Sequence, residues 1–213
     1  METIATQEIA SPKTSVSKNG GTVLWNRDTI PLEERTDLTI SEIEALAITD
    51  PYELIDGRII FKMATSDHSY IQLKLAAAFD TYLEAHPIGM AFTELSVRMF
   101  PDDDRNFRTP DLAFCLNNNL PIKGEMATSA PDLAVEIVTP ASYFPDVLEK
   151  ADLYLSKGSK VVWIVIPSKA CVLVLTATGR RWEYEILTCP ELLPGWTMNL
   201  AKIFNWPTSE KTA

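Results

Sequence analysis

The chain has 213 residues, 46% of them hydrophobic and 23% charged, which suits a soluble globular domain with a substantial core. A formal net charge of -10 argues against a broad basic face for nucleic acid, because phosphate binding rests on Lys and Arg contacts. No apolar run approaches the roughly 20 residues of a membrane helix, and the start METIATQEIASPKTS lacks the basic and apolar blocks of a signal peptide, so the expected compartment is the cytoplasm.

Residues 1–36 are polar, with a Gly20–Gly21 pair, and read as a partly flexible tail and lead-in, with its first twenty residues mobile and Trp25 and Ile30 able to dock on the body. Residues 37–213 read as one domain. Thr39 or Ser41 caps a short helix, with Glu44 three residues after Ser41 as in a capping box. Tyr52–Lys62 is a hairpin turning at Asp56-Gly57, the strongest short-range turn signal in the chain. Ser66 or Asp67 then caps a helix whose apolar face is Ile71, Leu75, Phe79, Tyr82 and Leu83, with His68 in its first turn. Met90–Phe100 alternates like a strand. Asp102, Asp103 and Asp104 lack the later acids of a calcium loop and read as a solvated hairpin tip. Leu112–Leu116 and Leu133–Val138 are short, aliphatic and bounded by turn residues, as buried strands are.

Beyond them Asp146–Lys157 reads as a helix with Val147, Ala151, Tyr154 and Leu155 on one face and Gly158 as its cap. Val161–Ile166, Cys171–Leu175 and Trp182–Leu187 follow as strands, and a closing segment runs from Pro194 to about Trp206. Cys115, Cys171 and Cys189 form no CxxC pair, so neither a disulfide frame nor a zinc site is indicated. Cys115 and Cys171 read as core filler.

Two of these strands carry an acid that a core does not want. Asp111 opens the first, and Glu136 stands between Val135 and Ile137 in the second. Burying a lone carboxylate costs several kcal/mol in rough terms unless something pairs with it. A metal ion shared with Asp111 is one partner for Glu136; an ion pair with Lys150 or Arg108 is the other. Lys150 lies on the following helix, within reach. Two acids and a lysine converging on adjacent strand ends make a hydrolytic site for phosphodiesters. A local basic rim stays compatible with the acidic body, from Arg98, Arg105 and Arg108 on one side and Lys150, Lys157 and Lys160 on the other.

The order of hairpin, helix, strand with Pro110-Asp111, strand with an internal Glu, helix and strand resembles the core of the PD-(D/E)XK restriction-endonuclease-like superfamily, and within it one bacterial endonuclease family. The matching pieces are YELIDG (52–57), Pro110-Asp111, APDLAVEIVTP (130–140), then Asp146, Lys150, Tyr154 and Gly158, then VVWIVIP (161–167) and LPGWTMNL (193–200). The resemblance covers roughly residues 37–206.

It implies an α/β fold with a central mixed β-sheet flanked by helices, and magnesium-dependent cleavage of nucleic acid, expected to be DNA, with manganese able to substitute. Asp111 and Glu136 are then the metal ligands. The superfamily's lysine, two residues after the second acid, is replaced here by Val138; the family places it on the next helix, where this chain has Lys150. Glu53 matches the family's first-strand acid and His68 its histidine at the helix start. Read from the residues alone, Glu53 is equally an edge-strand acid and His68 a cap or packing residue. Thr139-Pro140-Ala141 stands where the family has Ser-Pro-Ser, and Val165-Ile166-Pro167 where it has Val-Asp-Pro. Duplex cleavage needs two sites, so a homodimer is expected, with the late strands and the Trp196–Trp206 tail as its contact. The alternative is a lapsed nuclease fold kept as a nucleic-acid or protein binding module.

Overall fold

The computed structural model describes residues 30–46 and 48–206, and before them the backbone of two short paired strands, β1 (Thr14–Val16) and β2 (Thr22–Leu24). The expected mobility of the first twenty residues and the docking of Trp25 lie outside the described residues.

The centre is a six-stranded mixed sheet. In chain order its strands are β5 (Gly89–Thr93), β6 (Leu112–Leu116), β7 (Leu133–Ile137), β8 (Val161–Ile166), β9 (Cys171–Thr176) and β10 (Gly179–Glu183), and they neighbour one another in that order. Only β7 and β8 run parallel, joined by the crossover helix α3 (Phe144–Ser156); every other pair is antiparallel. The α/β class and mixed sheet expected from the sequence are therefore present.

Helices α2 (Ser66–Ala85) and α3 feed two separate cores. Along β7, alternate residues point to opposite faces: Leu133, Val135 and Ile137 join Ile71, Leu75 and Phe79 of α2, while Ala134 joins Ala151 and Tyr154 of α3. The first core is filled by aromatic rings, with Trp196 stacked 5.4 Å from Phe79 and 5.5 Å from Trp163. A third cluster packs the hairpin of β3 (Tyr52–Ile55) and β4 (Arg58–Phe61) against α1 (Ile40–Leu46), through Leu54, Ile59, Phe107, Ile40 and Ile43.

The hairpin turns at Asp56 and Gly57 with φ of 50° and 78°, the doubly left-handed geometry that asparagine or aspartate followed by glycine accommodates. A Cβ on Gly57 would also meet the Thr36 carbonyl at 2.7 Å. Arg105 holds the turn from outside, donating to the Asp56 and Thr36 carbonyls at 2.6 and 3.0 Å.

Several local expectations are corrected. The capping box is Thr39 with Glu42, each bonding the other's backbone N–H at 3.2 and 3.0 Å, rather than Ser41 with Glu44. Helix α2 is capped by Thr65 rather than by the expected Ser66 or Asp67. The strand expected over Met90–Phe100 stops at Thr93, because Glu94 takes φ 51°; beyond it Val97 only bridges to Arg108 and Ala127. Trp182–Leu187 divides between β10, at the sheet edge, and β11 (Ile186–Thr188), which pairs with β12 (Thr197–Asn199) before the short α4 (Ala201–Phe204). The three cysteines are buried and unlinked.

Candidate active site

The site forms where β6 begins and β7 ends, a place set by register. Leu112 pairs with Val135 in the antiparallel ladder, so the residue before Leu112 arrives beside the residue after Val135. Asp111 accepts the Ile137 N–H on Oδ2 at 2.6 Å, which fixes it next to Glu136. The second Pro-Asp pair, Pro131-Asp132, precedes β7 and so falls at the opposite end of the sheet. There Asp132 accepts the Leu116 N–H at 2.9 Å and pairs with Lys160 at 2.9 Å.

Glu136 is 7% exposed and is held from α3. Lys150 Nζ stands 2.8 Å from both its oxygens, and the Tyr154 hydroxyl donates to it at 3.1 Å. Lys150 and Tyr154 are one turn apart, the spacing that places two side chains on one helix face. The hairpin adds Glu53 from β3, whose Oε1 lies 2.6 Å from Lys150 and accepts the Thr109 N–H at 2.7 Å. Glu53, Glu136 and Lys150 are thus one connected group, and Glu53 is a buried acid rather than an exposed edge residue.

Asp111 is held from the other side. His68, buried in the first turn of α2, places Nε2 3.2 Å from Asp111 Oδ2. Its Nδ1 has no partner among the described residues. Lys62, just past β4, lies 2.6 Å from Asp111 Oδ1 and 2.7 Å from Glu94 Oε2. Gln72 of α2 donates to Glu94 Oε1 at 2.8 Å and to the Asp111 carbonyl at 2.7 Å.

The five residues singled out in the sequence therefore converge on one cluster, and the structure adds Lys62, Gln72 and Glu94. Nothing in the sequence marked Lys62, which looked like one more polar residue alternating along the hairpin. Glu94 carried one signal: it is an acid inside an otherwise alternating run, at the point where the strand breaks.

The charges do not balance. Four acids, Glu53, Glu94, Asp111 and Glu136, face two ammoniums, on Lys62 and Lys150, and the His68 ring, which burial works to lower but the Asp111 hydrogen bond and charge raise overall. Burial works to raise the Asp111 carboxyl, but the His68 hydrogen bond and the charges of Lys62 and Lys150 outweigh it and hold the group well below the usual carboxylate range. At Glu136 burial wins against Lys150, with Asp111 adding to it, and the carboxyl is pushed up to about 7. Burial works to lower the Lys150 ammonium, yet Glu136 and Glu53 raise it overall, so it stays protonated near neutral pH.

A magnesium ion suits this donor set. The uncompensated charge is negative, the available atoms are hard carboxylate oxygens, and magnesium needs only one or two carboxylates because it keeps several waters. Among the described residues no three His, Cys, Asp or Glu side chains are arranged around a metal position.

The expected basic rim is largely consumed by structure. Arg105 holds the Asp56-Gly57 turn, Arg108 donates to the Leu54 carbonyl at 2.9 Å, Lys160 pairs with Asp132, and Lys157 lies over the Phe100 ring at 4.3 Å. A cleft of about 430 Å³ opens between the start of α2 and the chain leaving β7, lined by sequence neighbours of His68 and Ile137 rather than by the cluster itself. It is lined by Ser66, Tyr70, Thr139, Pro140, Pro167 and Trp206, so Thr139, which stands where the family has serine, contributes to its wall.

The family model described as "Putative restriction endonuclease" (Uma2) matches residues 41–205. A solved structure described as a "putative nuclease belonging to DUF820 from Anabaena variabilis ATCC 29413" shares the fold with a TM-score of 0.68 and 23% sequence identity, covering 78% of this chain and 97% of its own. No curated protein matches the chain.

Proposed function

The chain belongs to the "Putative restriction endonuclease" family, and on that premise we propose that it is a magnesium-dependent endonuclease that hydrolyses phosphodiester bonds of DNA. The observation that carries this reading is the placement of Asp111, bonded to the Ile137 N–H, beside Glu136 at the adjoining ends of β6 and β7, with Lys150 against the second acid. Asp111 and Glu136 would hold the ion, and manganese would substitute. The bound ion supplies a polarised phosphoryl oxygen, a more acidic attacking water and a counter-charge for the leaving oxygen.

The chain's own residues do the rest. Lys150, kept protonated by Glu53 and Glu136, acts as a fixed ammonium that orients the water and offsets negative charge building on the phosphate. Glu53 and Tyr154 hold this group in place; His68 holds Asp111. Strand ends and helix turns give the site a rigid mounting. We place the enzyme in the cytoplasm; among the described residues no helix is long and apolar enough to cross a membrane.

A homodimer belongs to the same proposal. Trp196 is buried in the core and cannot serve as its contact. Trp182 on the edge strand β10, and Tyr184 and Ile186 just after it, are exposed and take its place. Light scattering should give twice the chain mass, and a clean monomer at high concentration would reject the dimer.

The neutralisation of Asp111 and Glu136 by lysines favours a second reading, a lapsed nuclease that binds nucleic acid or protein without cutting. Calorimetric titration with manganese separates the two. The nuclease reading expects binding that is lost in Asp111→Ala and in Glu136→Ala; a binding module expects no metal uptake.

A further inference from the structure

Asp111 can offer a metal ion only one oxygen. Its Oδ2 already accepts the Ile137 N–H at 2.6 Å and faces His68 Nε2 at 3.2 Å. Oδ1 remains, and Lys62 Nζ stands on it at 2.6 Å. The same ammonium donates to Glu94 Oε2 at 2.7 Å and to the Thr109 carbonyl at 2.9 Å. All three of its hydrogens are spent on hard oxygens, two of them anionic, which is the ligand type that magnesium and manganese prefer.

These oxygens are held in place by neighbouring groups. Gln72 spends its amide on Glu94 and on the Asp111 carbonyl, tying both to α2. Glu94 sits at φ 51°, a left-handed conformation that costs a residue other than glycine on the order of 1 kcal/mol and marks positions where geometry serves a site. His68, 5% exposed and with Nδ1 unpartnered among the described residues, closes the inner side. The two lysines differ in how they are held. Lys150 lies between Glu53 and Glu136 on a helix, whereas Lys62 follows the last residue of a hairpin strand, and their side chains are similarly part-buried, 17% and 19% exposed.

We propose that Lys62 is a built-in cation occupying a divalent-metal site formed by Asp111 Oδ1, Glu94 Oε2 and the Thr109 carbonyl, and that metal and Lys62 exchange there. The inference rests on the metal-dependent reading above and adds Glu94 and Thr109 to the groups that hold the ion. Lys62 neutralises the acids while the metal is absent, so the protein need not bury bare carboxylates. Once displaced, its ammonium stays tethered at the rim of the site, on the side open to a phosphate.

The test is calorimetric titration of manganese into the full chain as wild type, Lys62→Gln, Lys62→Met and Glu94→Gln, each checked for a cooperative thermal transition. Removing the competing ammonium should tighten manganese binding by about tenfold or more, and removing the Glu94 charge should weaken it by about as much. Two lysine variants are used so that a folding failure in one leaves the other. If Glu94 served only as a salt-bridge partner, Glu94→Gln would loosen Lys62 and leave affinity unchanged or improved. Affinity at or below wild type in the folded lysine variant, or at or above wild type in Glu94→Gln, overturns the exchange. Wild-type binding that is lost in Glu136→Ala but indifferent to Lys62 and Glu94 removes this inference alone. No uptake by any form removes the metal-dependent function with it.

Discussion

Asp111 reaches across the antiparallel pair and takes the amide hydrogen of Ile137 at 2.6 Å, a bond from the start of one strand to the end of the next. It means that the acid is structural and functional at once: it closes the ladder where β6 and β7 part, and it presents its other oxygen to the site. Asp111→Asn keeps an acceptor for Ile137 but leaves Lys62 facing a neutral group. The expected outcome is complete loss of metal uptake with a stability loss of about 1–3 kcal/mol, read by denaturant unfolding alongside calorimetry.

Lys150 sits between two acids that would repel one another without it. Lys150→Met should lower the cleavage rate by ~10²–10³-fold through lost charge stabilisation. It should also cost about 3 kcal/mol, because Glu53 and Glu136 are left buried without their cation. Lys150→Arg should recover most of that stability and little of the rate, since the planar guanidinium cannot place one donor where the ammonium stood. Thermal melts and single-turnover cleavage of the two variants separate these effects.

Asp132 shows the other use of a buried acid. Burial tends to raise its carboxyl, but the Leu116 N–H, Lys160 and Asn119 together hold it below the usual range. A carboxyl lowered in the folded state stabilises above the unfolded value, near 4, and loses that contribution as pH falls through the lowered folded value. Asp132→Asn should therefore be less stable than wild type by about 1–2 kcal/mol at pH 7. The gap should close in acid below roughly pH 4, while cleavage at pH 7 stays at the wild-type rate because Asp132 lies at the far end of the sheet. Urea melts across the pH range check this.

Strands β6 and β7, helices α2 and α3 and the Asp56-Gly57 hairpin were legible in the sequence because each rests on local chemistry: aliphatic runs, 3.6-residue periodicity and a turn that demands left-handed residues. The acids were legible for the opposite reason, as charges where burial forbids them. What stayed hidden is what depends on register and distance. Nothing local says that Lys62 reaches Asp111 across 49 positions, or that Gln72 ties Glu94 to Asp111. Glu94 broke the expected Met90–Phe100 strand through one backbone angle, which alternation of side chains cannot report. The use of the basic residues near the site was hidden too: Arg105 and Arg108 bond carbonyls brought in from positions 36 to 56, and charge counted along a chain does not show what each charge is spent on.

The most direct measurement of the central claim is cleavage of supercoiled plasmid DNA in magnesium, with wild type beside a Glu136→Ala variant shown to melt cooperatively. Metal-dependent cleavage at this site predicts nicked or linear product from wild type, none when the metal is chelated, and none from the variant at any magnesium concentration. A wild-type protein inert in both magnesium and manganese, or a Glu136→Ala protein that cuts at the wild-type rate, would contradict it.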